Sequence, residues 1–258
     1  MINIITSREN KILKTVRSLH RKKGREQAGL YFAEGVRLVD EAIEYIPHKI
    51  RYILMSETYA EKNKIMAETL DKNGKIVYIT EDKIFNEACD TQTPQGIAAV
   101  LEMPQTDAVG FSDSEYVLVL DGVSEPGNMG TIIRTAEAAG IDLICLMDGC
   151  TDIYSPKVVR SAMGSLFRMK FKHMRAADIE TLRADGFTIA ATALYNSQPI
   201  DKVKICGKRA VVIGNEAHGV SDEVLKAADI AVRLDMCGSV ESLNAAVAAG
   251  IVMYMLKG

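Results

Sequence analysis

Three short, polar, glycine-bearing segments each stand where an apolar, strand-like run gives way to a helix-like one. They read LDGVSEPGNMGTIIRTAEAAG from Leu120, VVIGNEAHGVSDEV from Val211 and VRLDMCGSVESLNAAVAAGIVMYML from Val232. Strands that alternate with helices in this way pair in parallel, because each crossover helix carries the chain back to start the next strand at the same end. The loops at the carboxyl ends of such strands then gather along one edge of the sheet. Helix N-termini and free backbone groups converge there, and that is where α/β proteins bind ligands. Three such loops carrying Asn, Arg, Glu and Ser beside their glycines point to a site.

The rest of the second half fits the same pattern. Tyr116 to Leu120 reads as a buried parallel strand and about Met129 to Ala139 as a helix, followed by strand Leu143–Met147 and helices at Pro156–Ser165 and Ile179–Ala184. Strands Phe187–Ala193 and Ala210–Ile213, a short helix after Ser221, a strand at Ile230–Leu234 and a closing helix from Ser242 complete it. Towards the amino end, Ile12, Leu13, Val16 and Leu19 recur at helical spacing from Ser7, the expected N-cap, with Asn10 in the capping-box position. Strand Leu30–Ala33, a helix on Val36, Leu38, Val39, Ala42 and Ile43, strand Tyr52–Met55 and a polar helix at about Glu57–Leu70 follow. Strand Ile76–Ile79, a helix from Glu81 and strand Gly96–Leu101 end a small α/β domain. Met103 to Gly110 carries Pro, Gly and polar residues and reads as a linker.

With 258 residues, 48% of them apolar, there is room for two domains with real cores. No apolar stretch is long enough to span a bilayer, and MINIITSRENK lacks an apolar signal core, so the expectation is a soluble cytoplasmic protein with no membrane contact. Cys89, Cys145, Cys150, Cys206 and Cys237 are odd in number and form no CxxC pair. They suggest neither disulfides nor a metal site, and read as buried thiols. The net charge of −3 conceals a basic amino end, where Arg8, Lys11, Lys14, Arg17, Arg21, Lys22, Lys23 and Arg25 face the single acid Glu9. Clustered cations of this kind are either a local nucleic-acid footprint or a solvated helix face.

In the first segment Asn128 falls at or near a helix N-cap and Arg134 on the second turn, while Gly130 permits close backbone approach. A guanidinium beside a ligand loop suits phosphate or carboxylate, because its donor fork is planar and permanently charged. The competing reading is a salt bridge to Glu137. In the second segment Gly214 and Gly219 bracket a loop whose N–H groups suit an anion or a nucleobase edge. Neither a GK[ST] nor a GxGxxG spacing is present. Glu216 reads as a base, a ribose ligand or a loop-stabilising acceptor, and His218 as a solvated loop histidine. In the third, Glu241, Ser242 and Asn244 are more polar groups than one helix cap requires, and AAVAAGI is a close-packing run.

In order and spacing these segments resemble the signature motifs of the SpoU (TrmH-like) family of RNA ribose 2′-O-methyltransferases, within the SPOUT class. Asn128, Gly130, Arg134 and Thr135 stand in the first motif, Glu216 and Gly219 in the second, and Ser242, Leu243, Asn244 and Gly250 in the third. The segment ITSRENKILKTVRSLHRKKGREQAGLYFAEGVRLVDEA looks like the ribosomal-protein-like RNA-binding domain that often precedes this catalytic domain. YSPKVVRSAMGSLFR from Tyr154 resembles what rRNA-directed, TsnR-like members carry between motifs.

The resemblance implies an RNA-binding α/β domain over 1–104, a linker over 105–115, and a catalytic SPOUT α/β domain over 116–258 with a parallel sheet and a trefoil knot, an exception to the usual absence of knots. It implies S-adenosylmethionine as cofactor, held by Thr192, Ala193 and Leu194, by Gly214, Asn215 and Glu216, by Leu234 and Met236, and by Ser242, Leu243 and Asn244. It further implies a homodimer through the C-terminal domain and an RNA substrate, rRNA ahead of tRNA. Arg134 is then expected to clamp a phosphate and polarise the 2′-hydroxyl, with Glu216 as the alternative proton acceptor, and Asn128, Ser242 and Asn244 to orient the ribose, the cofactor or Arg134. The eight basic residues of the amino end are the expected RNA contacts, with Lys157 and Arg160 as additions and Tyr31 and Phe32 as stacking or core residues. One position departs from the family pattern: Asp235 stands where a Pro is common. The rival reading is a non-catalytic RNA-binding or ribosome-assembly protein of the same fold, against which the intact Arg134, Glu216 and Asn244 stand.

Overall fold

The computed structural model describes residues 2–104, 110–240 and 242–257. Residues 105–109 of the expected linker and Glu241 lie outside the described residues. In chain order the elements are β1 (Ile2–Ile5), α1 (Lys11–Ser18), α2 (Lys22–Ala28), β2 (Leu30–Glu34), α3 (Val36–Tyr45), β3 (Ile50–Ser56), α4 (Glu57–Lys62), α5 (Lys64–Lys72), β4 (Val77–Thr80), α6 (Asp82–Ala88) and β5 (Ile97–Glu102). There follow β6 (Tyr116–Asp121), α7 (Pro126–Ala139), β7 (Leu143–Leu146), α8 (Pro156–Ala162), β8 (Phe171–His173), α9 (Ile179–Ala184), β9 (Thr188–Thr192), β10 (Gln198–Pro199), β11 (Arg209–Gly214), α10 (Asp222–Ala227), β12 (Ile230–Arg233) and α11 (Ala245–Met255). They form two compact units, Met1–Pro104 with Asp152–Phe167, and Gln105–Thr151 with Arg168–Gly258.

The first unit holds a mixed sheet in the order β1-β4-β3-β5-β2, in which β5 runs antiparallel to both neighbours. Leu13, Val16 and Leu19 lie along one face of the first helical stretch and pack with Phe32, Leu54 and Phe85. Each buried side chain of this size stabilises the fold by about 1.5–3 kcal/mol. Ser7 is not the N-cap. Its hydroxyl accepts from Glu9 N at 3.2 Å and its carbonyl from Asn10 N at 3.1 Å, making a turn, so Asn10 takes the cap by accepting from Ile12 N at 2.8 Å.

The expectation of an unbroken second domain from 116 to 258 differs from the structure at Asp152–Phe167, which groups with the first unit. The cause is local packing. Val158 and Val159 are buried, Tyr154 packs on Tyr31 with ring centroids 4.9 Å apart, and Arg25 Nε donates to Asp152 Oδ2 at 3.0 Å.

The second unit holds a sheet in the order β10-β12-β9-β11-β6-β7-β8, every neighbouring pair parallel. Its central strands are buried on both faces, which is why β6 reads as an unbroken apolar run. Val117, Val119, Leu143, Ile189 and Val212 form one core with Ile179, Leu182 and Val224 of the covering helices. β8 and β10 are three and two residues long and have no periodicity to betray them. α11 packs along α7, with Gly250 so placed that a Cβ would meet Thr135 Cγ2 at 3.3 Å, and Tyr116 Oη donates to Met253 O at 2.7 Å.

Candidate active site

Register brings two of the three segments together. Leu120 and Asp121 of β6 pair with Ile213 and Gly214 of β11, so the loops that leave these strands run side by side. Gly214 is required by the loop's own crossing, since a Cβ there would lie 2.1 Å from Gly219 C and from Val220 N. Asn215 ties the second loop to the first. Its amide nitrogen donates to Gly122 O at 2.8 Å, while Oδ1 accepts from Ala217 N at 2.9 Å and His218 N at 3.1 Å. Across the same join, Asp121 Oδ2 accepts from Ser221 N at 2.7 Å.

α7 starts at Pro126, three residues earlier than the apolar periodicity suggests, because Glu125 is the N-cap and Pro suits the first helical position. Glu125 Oε2 accepts from Asn128 N at 2.6 Å, in the space a side chain at Gly127 would need. Asn128 is therefore the third helical residue rather than the cap, and its side chain is free to face the second loop.

There it meets Glu216. Oε2 of Glu216 accepts from Ser124 N at 3.2 Å and Ser124 Oγ at 3.0 Å, and Oε1 from Glu125 N and Asn128 Nδ2, both at 3.1 Å. Burial works against the charge, but the hydrogen bonds from Asn128, from its own backbone N–H, and from Glu125 and Ser124 outweigh it and hold the carboxyl down at about 2. This argues against the alternative in which Glu216 accepts the proton. With two donors on each oxygen its lone pairs are already engaged, and a carboxyl held this low is a weak base. It is an anchor for the first segment.

The chain of bonds continues into the third segment. A carboxylate only accepts, so Asn128 must turn its NH₂ to Glu216 and its oxygen outwards. That oxygen accepts from Asn244 Nδ2 at 2.9 Å, and Asn244 Oδ1 then caps α11 by accepting from Ala246 N at 3.0 Å and Val247 N at 3.3 Å. Glu216, Asn128 and Asn244 thus join all three segments. Ser242, by contrast, is exposed and makes no hydrogen bond among the described residues.

Arg134 lies on the exposed face of α7, away from Met129, Ile132, Ile133 and Ala136, which are buried. Its side chain makes no ion pair or hydrogen bond among the described residues. The competing partner Glu137 binds Arg168 instead, with Nη2 3.1 Å from Oε2. A permanently charged donor fork is left open to solvent on the helix that Glu216 and Asn128 hold in place.

The expected cofactor residues follow β9, β11 and β12, which are adjacent in the sheet. Thr192 Oγ1 donates to Val212 O at 3.2 Å and Ala193 N to Val232 O at 2.9 Å, so their polar groups serve the sheet, while Leu194 is exposed. Leu234, Met236 and Leu243 line a cavity of about 360 Å³ together with Val240 and Ile251. Ser124 and Glu125, which help to hold Glu216 and α7, were not singled out in the sequence. Their signal was the Ser-Glu-Pro run at a helix start.

The basic amino end is divided by the structure. Arg25 is corrected outright: its side chain is 3% exposed, paired with Asp152, and donates from Nη1 to Leu19 O at 2.7 Å, so it is closed to RNA. Arg8 pairs with Glu87 at 2.9 Å, Lys14 with Glu9 at 2.7 Å and Lys22 with Glu26 at 3.8 Å, and Arg17 donates to Arg8 O. Lys11, Arg21 and Lys23 are exposed and make no ion pair among the described residues. Arg160 is 2.8 Å from Asp90, and Tyr31 and Phe32 are both buried core residues. Of the thiols only Cys145 is buried, and Cys206 and Cys237 are exposed, contrary to expectation.

A parallel sheet whose carboxyl-end loops are bonded into one polar cluster, with a cavity at Leu243 next to Asn244, defines an α/β protein with a ligand site at that edge. The chain belongs to the SpoU rRNA Methylase family, whose model matches residues 115–254, and a model of the MRM3-like substrate binding domain matches residues 10–99. It is 35% identical over 255 residues to the 23S rRNA (guanosine(2553)-2'-O)-methyltransferase RlmP of Bacillus subtilis, covering 98% of this chain and 99% of that one. An AdoMet-bound rRNA methyltransferase from Sinorhizobium meliloti superposes with a TM-score of 0.87 at 29% identity, covering 98% of this chain and 97% of its own. AviRb from Streptomyces viridochromogenes, a SpoU methyltransferase in complex with AdoMet, gives 0.82 at 27% identity, covering 96% and 97%. Among the described residues no helix is long and apolar enough to cross a membrane.

Proposed function

We propose that this protein transfers a methyl group from S-adenosylmethionine to a ribose 2′-hydroxyl of rRNA. The observation that carries the reading is the Glu216–Asn128–Asn244 chain, which joins the three motif segments and leaves Arg134 of α7 unpaired among the described residues. The residues present fit the cofactor: Leu234, Met236 and Leu243 give the cavity apolar walls suited to a purine, Asp201 and Asp235 add polar edges, and Thr192–Leu194 and Gly214–Glu216 lie at the ends of the neighbouring strands β9 and β11. When bound, S-adenosylmethionine supplies an electrophilic methyl on a sulfonium.

Arg134 binds the phosphate next to the target ribose and polarises the 2′-hydroxyl, which aligns a weak nucleophile for in-line attack. It stays charged throughout, as guanidinium groups in proteins do, and the hydroxyl proton is released to water as the methyl is transferred. Glu216, Asn128 and Asn244 keep the first turn of α7 fixed against the second and third segments. Ser242 is left to bond the ribose or the cofactor.

Residues 1–104 serve as the RNA-binding domain, with Lys11, Arg21 and Lys23 as the phosphate contacts open to solvent, and 116–258, apart from the 152–167 segment that groups with the first unit, carry the catalytic function with the closing segment threaded as a trefoil knot. The catalytic units pair as a homodimer. α11 is apolar nearly all round and leaves Val247, Ile251, Tyr254 and Met255 exposed at 52%, 37%, 53% and 44%, a face that a helix of this composition covers in the assembled protein.

The test is transfer of tritium from labelled S-adenosylmethionine into total rRNA and total tRNA from cells lacking the protein. Label in rRNA that maps to a 2′-O-methylated ribose supports the reading. Label only in tRNA moves the substrate, and cofactor binding without label in either pool points to an assembly intermediate. Neither label nor cofactor binding favours a non-catalytic RNA-binding protein. Arg134→Ala should abolish transfer while cofactor binding survives, and comparable turnover in that variant would remove the role given to Arg134.

A further inference from the structure

Arg233, the last residue of β12, reaches in two directions. Its Nε lies 2.7 Å from Asp235 Oδ1, and its Nη1 donates to the carbonyl of Ser197. The two partners belong to different loops, 193–197 after β9 and 234–236 after β12, and both loops carry expected cofactor residues. The first loop is a tight excursion from β12: Ala193 N donates to Val232 O at 2.9 Å where it leaves, and Gln198 and Pro199 pair with Val232 and Arg233 where it returns. Between these points Asn196 has a φ of 51°, in the left-handed region that Asn adopts more readily than other side chains and that turns the chain sharply. The Ser197 carbonyl held by Arg233 belongs to the very next residue. One guanidinium therefore pins this bend to the neighbouring loop, its planar fork presenting separate nitrogens to the two partners where an ammonium would have to reach both from a single atom.

We infer that Arg233 and Asp235 are positioning residues for the cofactor, a latch that sets Thr192–Leu194 and Leu234–Met236 as one wall. The inference rests on the assignment of those two segments to S-adenosylmethionine. Asp235 also lines the cavity with Leu234 and Met236, so the latch is part of that wall. It explains what a carboxylate does at a position where the family resemblance leads one to expect Pro. A Pro would stiffen the loop through its own φ. Asp235 stiffens it through a half-exposed ion pair, which salt weakens. Cofactor affinity in this chain is therefore salt-sensitive through residue 235.

The test is isothermal titration of the full-length protein with S-adenosylmethionine alone, without RNA, at low and high salt, beside steady-state transfer rates. Arg233→Met is expected to weaken cofactor binding about tenfold, the loss that goes with one charge-assisted hydrogen bond, with kcat at saturating cofactor within about twofold of wild type. Asp235→Asn should bind more weakly at low salt and lose the salt dependence that wild type shows, and Asp235→Glu should recover much of both. If Arg233→Met does not fold, Arg233→Lys carries the test with an intermediate loss. Wild-type affinity in both Arg233 variants, or an unaltered salt dependence in Asp235→Asn, overturns the latch while leaving the cofactor assignment intact. Failure of the wild type itself to bind S-adenosylmethionine removes the assignment and the latch together.

Discussion

Glu216→Gln separates an anchor from a base. The amide keeps the shape but has one acceptor oxygen, so its NH₂ is turned either towards Ser124 N and Oγ or towards Glu125 N and Asn128 Nδ2. Two donors lose a charged acceptor whichever way it turns. Such bonds contribute about 1.5–3 kcal/mol each when protected from water. Glu216 is exposed, and solvent both screens the charge and rehydrates the orphaned donors, so the net loss is nearer 1–2 kcal/mol. For a chain of this size that lowers Tm by roughly 2–4 °C.

The pH dependence has a definite sign. The folded-state carboxyl is depressed from 4.5 to about 2, so its stabilisation is whole above about pH 4.5 and is lost as pH falls through 2. Calorimetric melts of wild type and variant should differ by a constant gap from neutral pH down to about 5, and the gap should close in stronger acid. Transfer should slow in the variant because the first turn of α7 loosens, with no change in the shape of the pH–rate profile between about pH 6 and 9. A variant with unaltered Tm and a rate lower by orders of magnitude, whose residual turnover lacks an acid limb that the wild type shows, would refute this and make Glu216 the base.

Two further outcomes follow from the corrected basic surface and the exposed helix. Arg25→Ala breaks a buried ion pair and should destabilise the protein by about 3–5 kcal/mol without changing the salt slope of RNA binding. The triple change Lys11→Ala, Arg21→Ala, Lys23→Ala should leave Tm in place and reduce that slope by roughly 0.7–0.9 for each phosphate no longer neutralised, as read from titrations at several salt concentrations. Val247→Asp should convert the proposed homodimer to a monomer in sedimentation velocity. A dimer that persists in that variant places the interface elsewhere.

The parallel sheet was legible because strands buried on both faces leave apolar runs, and Tyr116–Leu120 and Ala210–Ile213 have no other reading. β8, β10 and the amino-terminal β1 were not, being too short or, in β1, on a sheet edge with Ile2 and Ile4 exposed. Within the site, Asn128, Glu216 and Asn244 were legible as residue types too polar for their positions. Which way each side chain turns was not, because it depends on donors and acceptors that meet only when three distant segments do. Arg25 shows the converse: seven neighbouring cations made it look like surface, and its partner stands 127 residues further on. Arg233 and Asp235 carried no signal beyond a missing proline, since a two-residue ion pair says nothing of the carbonyl it also holds.

The amide relay from Glu216 through Asn128 to Asn244 has an order in time as well as in space. A chain emerging from the ribosome presents residues 124–128 long before residue 216, and residue 216 before Asn244. Until residue 244 is out, α11 has no cap and the oxygen of Asn128 has nothing to accept from. The site is therefore completed only after the third segment is made, and a chain released before it lacks the bond that closes the relay. Such a fragment keeps the Glu216 anchor on the first turn of α7 but lacks the third segment, so its site stays incomplete.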